Sequence, residues 1–332
     1  MSKRMSARAT DRVIRLIRSS EHLYLGTHIR PDGDALGSLL GLMLALEDQG
    51  KRVAALCADP VPDNYRFLPG AHRISSQPPA WPAQLGIVLD CDGLSRLGPL
   101  EPAFAALPHL VDIDHHHTDH AFGEDRLVDS RAGATAEIVS RLLKGMAIQL
   151  TPPVASCLYA ALLTDTGRFC FGNTTAHSLH IAAEMVEAGA DPHQIARRVY
   201  EERSMEATHL LGLALSRLSS DLDGQVVSVM LTREDFARTG AAPGDTEGII
   251  DHLRAIGGPR VALLLVEPQN SSVRVSLRSD GTVDVSEIAL CFGGGGHMMA
   301  AGCTVTGAAE QVRRKVLEVI GQAFARAGAQ DA

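Results

Sequence analysis

His109-Leu-Val-Asp-Ile-Asp-His-His-His-Thr-Asp-His120 is the stretch on which the reading of this chain turns. His109 to Ile113 reads as a buried apolar strand. From Asp112 to His120 four residues are His and three are Asp. A buried strand that runs out into imidazoles and carboxylates is not core packing, because neutral imidazole with carboxylate is the usual donor set for a divalent metal. The competing reading is a solvated, His-rich loop, and the rest of the chain decides between the two.

Working backwards, Leu85-Gly-Ile-Val-Leu89 is a second apolar strand, and it runs into Asp90-Cys-Asp-Gly93. Leu23-Tyr-Leu25 opens a third, which ends at Thr27-His28 and the tight turn Arg30-Pro-Asp-Gly-Asp34. A long apolar helix from about Ala35 to Asp48 and a strand at 53–57 follow. This is an α/β unit with polar residues at the carboxyl ends of its strands, where ligands bind in open α/β sheets. An Asp after a strand is commonly just a turn or cap residue. Three coincident exits weaken that reading.

Working forwards, helices are expected at 134–144 and 152–163, the second running into Asp165-Thr-Gly-Arg-Phe169. An acidic residue is poorly placed at a helix C-terminus unless a cation lies near. Residues 175–217 read as helical. Strands are then expected at 226–231, 261–266 and 273–277, and helices at 233–238, 246–256 and 284–292. Gly293-Gly-Gly-Gly-His-Met-Met-Ala-Ala-Gly302 comes next. It is expected to be an anion-binding backbone loop with a small-residue helix behind it. The alternative there is a flexible linker. A C-terminal helix closes the chain.

The sequence thus predicts an α/β protein of two domains. The larger, 1–190, has a mostly parallel sheet flanked by helices. A helical connector spans 191–220. A smaller α/β domain with a mixed sheet spans 221–332. Composition narrows the function. With 332 residues and 45% hydrophobic content a packed core is feasible. A formal charge of −8 disfavours a protein that tracks long nucleic acid by neutralising phosphates. None of the six Cys forms a CxxC pair, so thiolate zinc sites are not expected. No signal peptide or membrane-length apolar run is read, so the cytoplasm is expected.

The exits collect His28, Asp32, Asp34, Asp90, Asp114, His115, His116 and Asp165. So many converging carboxylates repel one another, and two divalent ions would neutralise them. An oxygen-rich site with some imidazole suits Mn²⁺ first, with Mg²⁺, Co²⁺ or Fe²⁺ as alternatives.

His28-Ile-Arg-Pro-Asp32-Gly-Asp34, then Asp90, then Asp114-His115-His116, then Asp165-Thr-Gly resemble, in that order, the four motifs of the DHH phosphoesterase superfamily. Ser276-Leu-Arg278-Ser with Gly294-Gly295-Gly296-His297 resembles the associated C-terminal domain of its nanoRNase/pAp phosphatase (NrnA-like) branch. The likeness spans roughly residues 20 to 310. It implies that His28, Asp32 and Asp90 hold one metal, and that Asp34, Asp90, His115 and Asp165 hold the other. Asp90 would bridge the pair. It implies that Asp114 orients a histidine, and that His116 touches the scissile phosphate or protonates the leaving oxygen. Ser276, Arg278, His297 and the glycines 294–296 would grip the substrate. His117 and His120 receive no role and are expected at the surface.

The implied reaction is in-line attack by a metal-bridging hydroxide on short single-stranded RNA or pAp, with the catalytic and substrate-binding domains facing each other across a cleft. A homodimer is implied as well. Linear or cyclic dinucleotides of the pApA or c-di-AMP type are the alternative substrates. A manganese pyrophosphatase would carry a Ser-Arg-Lys-Lys cluster that is missing here. A RecJ-like exonuclease needs further domains. A catalytically silent nucleotide-binding module would be expected to lack a ligand, and every candidate ligand is present.

Overall fold

The computed structural model describes residues 7–116, 122–269 and 272–330. The chain divides into two compact units, Met1–Glu202 and Arg203–Ala332. The architecture is the two-domain α/β fold expected, with one parallel and one mixed sheet.

In the first unit α1 (Ala7–Ser19) precedes β1 (His22–Gly26), α2 (Gly33–Glu47) and β2 (Arg52–Leu56). Then come β3 (Leu85–Leu89), α3 (Glu101–Ala105), β4 (Leu110–Asp114) and β5 (Asp125–Val128). The unit ends with α4 (Thr135–Gly145), α5 (Pro152–Asp165), α6 (Ala176–Glu187), α7 (Pro192–Ala196) and a π-helical turn at Arg197–Glu201. The strands form one sheet in the order β2-β1-β3-β4-β5, and every neighbouring pair is parallel. The order reverses between β1 and β3. That switch point opens a crevice at the strands' carboxyl ends, the place where such sheets bind ligands.

Parallel strands covered on both faces read as continuous apolar runs, and β3 is buried at all five positions. One face packs against α1, α2, α4 and α5. The other is covered by Leu97, Leu100 and Phe104 around α3. Helix α2 is buried almost all round, which makes it a core helix rather than a surface one. It runs antiparallel to α5. A Cβ on Gly33 would meet Thr164 Oγ1 at 2.3 Å, one on Gly37 the Cys157 carbonyl at 2.4 Å, and one on Gly41 the Leu158 side chain at 2.7 Å. This i, i+4, i+8 glycine stripe lets the two helices touch backbone to backbone. It brings the N-terminus of α2 beside the C-terminus of α5.

The second unit begins with α8 (Met205–Ser216), β6 (Ser219–Asp221), β7 (Val226–Leu231), α9 (Arg233–Thr239) and α10 (Ile249–Arg254). It continues with β8 (Val261–Gln269), β9 (Ser272–Ser279), α11 (Val285–Leu290), β10 (Gly295–His297), β11 (Ala300–Thr306) and α12 (Ala309–Gln330). Its sheet has the order β10-β11-β9-β8-β7-β6. Only β7 and β8 pair in parallel; the other pairs are antiparallel. Alternate residues feed two cores. Val273, Val275 and Leu277 face α11 and α12, whereas Val227, Val229, Ala262 and Leu264 face α8, α9 and α10.

Several expectations are corrected. The glycine run does not lead into a helix. Gly295–His297 and Ala300–Thr306 form an antiparallel hairpin that adds to β9. Gly and Ala are compatible with either structure, and the open edge of β9 decides for pairing. Gly294 packs so closely on β11 that a Cβ would lie 2.2 Å from the Gly302 carbonyl. The helix expected at 246–256 is only Ile249–Arg254, because Gly248 is left-handed at φ 77°. Strands β5 and β6 were not read from the sequence at all. No helix among the described residues is long and apolar enough to cross a membrane.

Candidate metal centre

The predicted metal-binding residues all belong to the first unit and meet at the switch point. His28 follows β1, and Asp90 follows β3. Asp114 ends β4, with His115 and His116 just beyond it. Asp32 and Asp34 open α2, and Asp165 ends α5. Donor atoms of His28, Asp32 and Asp90 lie within 4.8 Å of one another, as do those of Asp34, Asp90 and His115. Asp90 belongs to both groups. Asp165 Oδ2 lies 3.5 Å from His115 Nε2.

Both histidines are oriented from behind. His28 Nδ1 is 2.8 Å from the Ile29 carbonyl, and His115 Nδ1 is 3.2 Å from the Ala132 carbonyl. A carbonyl only accepts, so each Nδ1 carries the hydrogen. Each Nε2 therefore points inward. His28 Nε2 stands 3.7 Å from Asp90 Oδ2. His115 Nε2 stands 3.7 Å from Asp34 and 3.6 Å from Asp90. These separations are too long for direct hydrogen bonds. They suit donors arranged around a shared cation.

The carboxylates are supported as carefully. Asp32 caps α2 by accepting from Ala35 N at 3.0 Å. Asp34 accepts from Ser38 Oγ at 2.9 Å, from Thr135 N at 2.6 Å and from Ala136 N at 3.1 Å. It thus sits between the N-termini of α2 and α4, where dipoles and unpaired amides favour an anion. Thr135 Oγ1 donates to Asp90 Oδ1 at 3.0 Å. Asp90 itself has φ 55°, a left-handed conformation that costs a non-glycine residue energy and is typical of strained functional positions.

The electrostatics follow from buried carboxylates and imidazoles set close together. Burial, then Asp90, pushes the Asp34 carboxyl well above its usual range, and Asp165 and Asp32 add to the shift. Burial opposes ionisation of Asp90, yet the nearby imidazoles of His28, His116 and His115 hold it well below its usual range. His28 is raised despite its burial, by Asp90 and Asp32. Divalent cations neutralise such a set of oxygen and imidazole donors. The residues fit the expected metals.

His116 is arranged differently. Its Nδ1 is 2.7 Å from Asp114 Oδ1, which also accepts from the His116 amide at 3.1 Å. Burial works against a charged imidazole, but Asp114, Asp90 and Asp165 raise its pKa well above the ordinary value. Burial likewise opposes ionisation of Asp114, and His116 reverses the balance, leaving that carboxyl lowered. The pair is an imidazole braced by a wholly buried carboxylate beside the cluster. His117 and His120 lie outside the described residues.

The predicted substrate residues lie in the second unit. Strand register aligns Ser276, Gly302 and Gly295 in one row across β9, β11 and β10, and Arg278, Ala300 and His297 in another, two residues along each strand. Gly296 pairs with Ala301, and Gly294 lies just outside the hairpin. Sequence reasoning missed Ser38, Thr135 and the amides of 135–136. Ser38 carried a signal, lying one helical turn beyond Asp34. Thr135 resembled an ordinary helix-start residue.

Residues 22–162 match the DHH family, N-terminal domain, and residues 211–326 match the DHHA1 domain. The chain is 35% identical over 310 residues to a bifunctional oligoribonuclease and PAP phosphatase NrnA of Thermus thermophilus, covering 92% of this chain and 91% of that protein. It is 26% identical over 296 residues to the Bacillus subtilis protein of the same name, covering 88% and 92%. The crystal structure of an exopolyphosphatase-related protein from Bacteroides fragilis superposes with a TM-score of 0.86 at 26% identity, covering 98% of each chain. The two domain matches and these full-length likenesses place the chain in the DHH phosphoesterase family, in its NrnA-like branch with the DHHA1 domain.

Proposed function

We propose that this phosphoesterase hydrolyses short oligoribonucleotides to mononucleotides and removes a phosphate from pAp, using two divalent ions, Mn²⁺ first among them. The observation that carries the reading is the pair of donor groups sharing Asp90, with the His116–Asp114 pair alongside. The names of the NrnA relatives supply the substrate classes. His28, Asp32 and Asp90 would hold one ion; Asp34, Asp90, His115 and Asp165 would hold the other. When bound, such ions acidify water and offset charge on phosphoryl oxygens.

The protein's own groups supply the rest. Asp114 is ionised and so accepts from His116 Nδ1–H, which aims Nε2 outward. From that position His116 Nε2 can deliver a proton to the departing ribose oxygen, with Asp114 supporting the charged imidazole. Thr135 and the α4 amides keep Asp90 and Asp34 in place as charge builds. In the second unit the row of Arg278 and His297 beside Ser276 and the glycine hairpin would take the terminal phosphate, with the planar guanidinium matching its oxygens. The homodimer implied by the resemblance is part of the same proposal.

The test is a substrate panel on purified protein with Mn²⁺: pAp, RNA of two to five nucleotides, linear and cyclic di-AMP, and pyrophosphate, with products resolved by size. Turnover of pAp and dinucleotides with little on pyrophosphate is expected. Preferred turnover of cyclic di-AMP would move the chain to the dinucleotide phosphodiesterases.

A further inference from the structure

Asp165 stands apart from the other three residues predicted to hold the same ion, Asp34, Asp90 and His115. Its side chain is 23% exposed, against 4% for His115, 2% for Asp90 and 1% for Asp34. It is also the last residue of α5, where the helix dipole disfavours a carboxylate. Something else must hold it.

The chain after Asp165 makes a costly turn. Gly167, Arg168 and Phe169 are all left-handed, at φ 55°, 62° and 60°. Two of the three are not glycine, so the turn is strained. Beyond the turn, Asn173 lies against the end of α5. Asn173 Nδ2 donates to the Asp165 carbonyl at 3.1 Å and to the Gly133 carbonyl at 3.0 Å, and lies 3.4 Å from Asp165 Oδ2.

Gly133 is the neighbour of Ala132, whose carbonyl accepts from His115. One amide nitrogen therefore ties the segment that orients His115 to the residue whose carboxylate faces His115. The far side of Gly133 is fixed by Glu137, which accepts from Gly133 N at 2.9 Å and from Ser178 Oγ at 2.6 Å. A Cβ on Gly133 would fall 2.9 Å from Glu137 Oε1 and 3.1 Å from the Asn173 carbonyl. Only glycine allows the two segments to close this tightly. Asn173 Oδ1, by contrast, is buried with no hydrogen-bond partner. A buried unsatisfied acceptor is expensive, so it is the donor end that accounts for the residue.

We infer that Asn173 is a positioning residue that sets the Asp165 carboxylate against His115 and so tunes one of the two metal sites. This rests on the reading of His115 and Asp165 as ligands of a divalent ion. It acts through Asp165 and touches neither ion nor substrate.

The experiment is a calorimetric titration of metal-free, full-length protein with Mn²⁺, using wild type, Asn173→Ala, Asn173→Asp and Asp165→Ala. Asn173→Asp keeps the shape and loses both N–H donors, so it carries the test if the alanine variant does not fold. Wild type is expected to take up two ions. Both Asn173 variants should bind one of them about 10- to 100-fold more weakly, and it should be the ion that Asp165→Ala loses. The second ion should bind as it does in wild type. Wild-type affinity for both ions in both variants would overturn the inference. Equal weakening of both, with a fall in metal-free melting temperature, would also overturn it by showing a general structural role. If wild type takes up no Mn²⁺, the metal reading itself fails and this inference falls with it. If wild type binds two ions, Asp165→Ala loses one and both Asn173 variants bind like wild type, the metal reading stands and positioning alone is refuted.

Discussion

Thr135 and Asp90 are 45 residues apart, yet the hydroxyl of one donates to the carboxylate of the other at 3.0 Å, while the Thr135 amide donates to Asp34 at 2.6 Å. A single residue at the start of α4 thus steadies two predicted ligands. Thr135→Val keeps the shape and the amide but deletes the hydroxyl. Turnover at limiting Mn²⁺ should fall about tenfold, and saturating Mn²⁺ should restore most of it. Thr135→Ser should behave like wild type. Steady-state rates across a Mn²⁺ series check this. A valine variant with an unchanged Mn²⁺ dependence would remove Thr135 from the centre.

Asp90 predicts a reversal of a familiar order. Alanine normally stabilises relative to glycine, because glycine has more freedom to lose. At φ 55° the side chain is penalised instead. Asp90→Ala and Asp90→Gly should both lose Mn²⁺-dependent hydrolysis while folding. The glycine variant should be the more stable of the two by about 1 kcal/mol. Denaturant midpoints in metal-free buffer measure the difference. Full turnover in either variant would sink the metal assignment.

Asp112 gives a pH signature. It is wholly buried in β4, and burial, followed by the charge of Asp114, pushes its carboxyl up to about 7, with Arg126 Nε at 2.9 Å pulling the other way. The folded chain holds this proton more tightly than the unfolded one, whose carboxyl titrates near ~3.9. The stability linked to Asp112 is therefore full below the unfolded value and is lost as pH rises through about 7. Asp112→Asn cannot ionise. Between about pH 5 and pH 8 it should lose less stability than wild type, by on the order of 2 kcal/mol. Chemical denaturation of both proteins at the two pH values provides the measurement. Parallel pH dependence would show that Arg126 keeps Asp112 charged throughout.

What the sequence made legible follows physical lines. Runs such as Leu85–Leu89 are buried on both faces and declare themselves by composition alone. The acidic residues at their ends then mark the switch point. Asp125–Val128 offers only Leu127 and Val128 as apolar residues, so nothing local distinguished it from loop; its pairing with β4 makes it a strand. The glycine run hid its hairpin because Gly and Ala carry no periodicity. The predicted ligands of the centre are visible because their chemistry is unusual for strand ends. Their supports are not. Thr135 and Asn173 are ordinary residues whose work depends on neighbours dozens of positions away or across a reversed turn.

The glycine stripe at 33, 37 and 41 carries the last consequence. It fixes how closely α2 approaches α5, and those helices bear Asp34 and Asp165 at their meeting ends. The gap between two carboxylates predicted to face a metal is thereby gauged within about two turns of α2, by atoms with no chemistry of their own. A relative could inherit every imidazole and carboxylate of the centre and still be inert, simply by acquiring a methyl group at position 37. Judging activity in this family by its acidic and histidine motifs alone therefore reads the jaws of the caliper and overlooks its spacer.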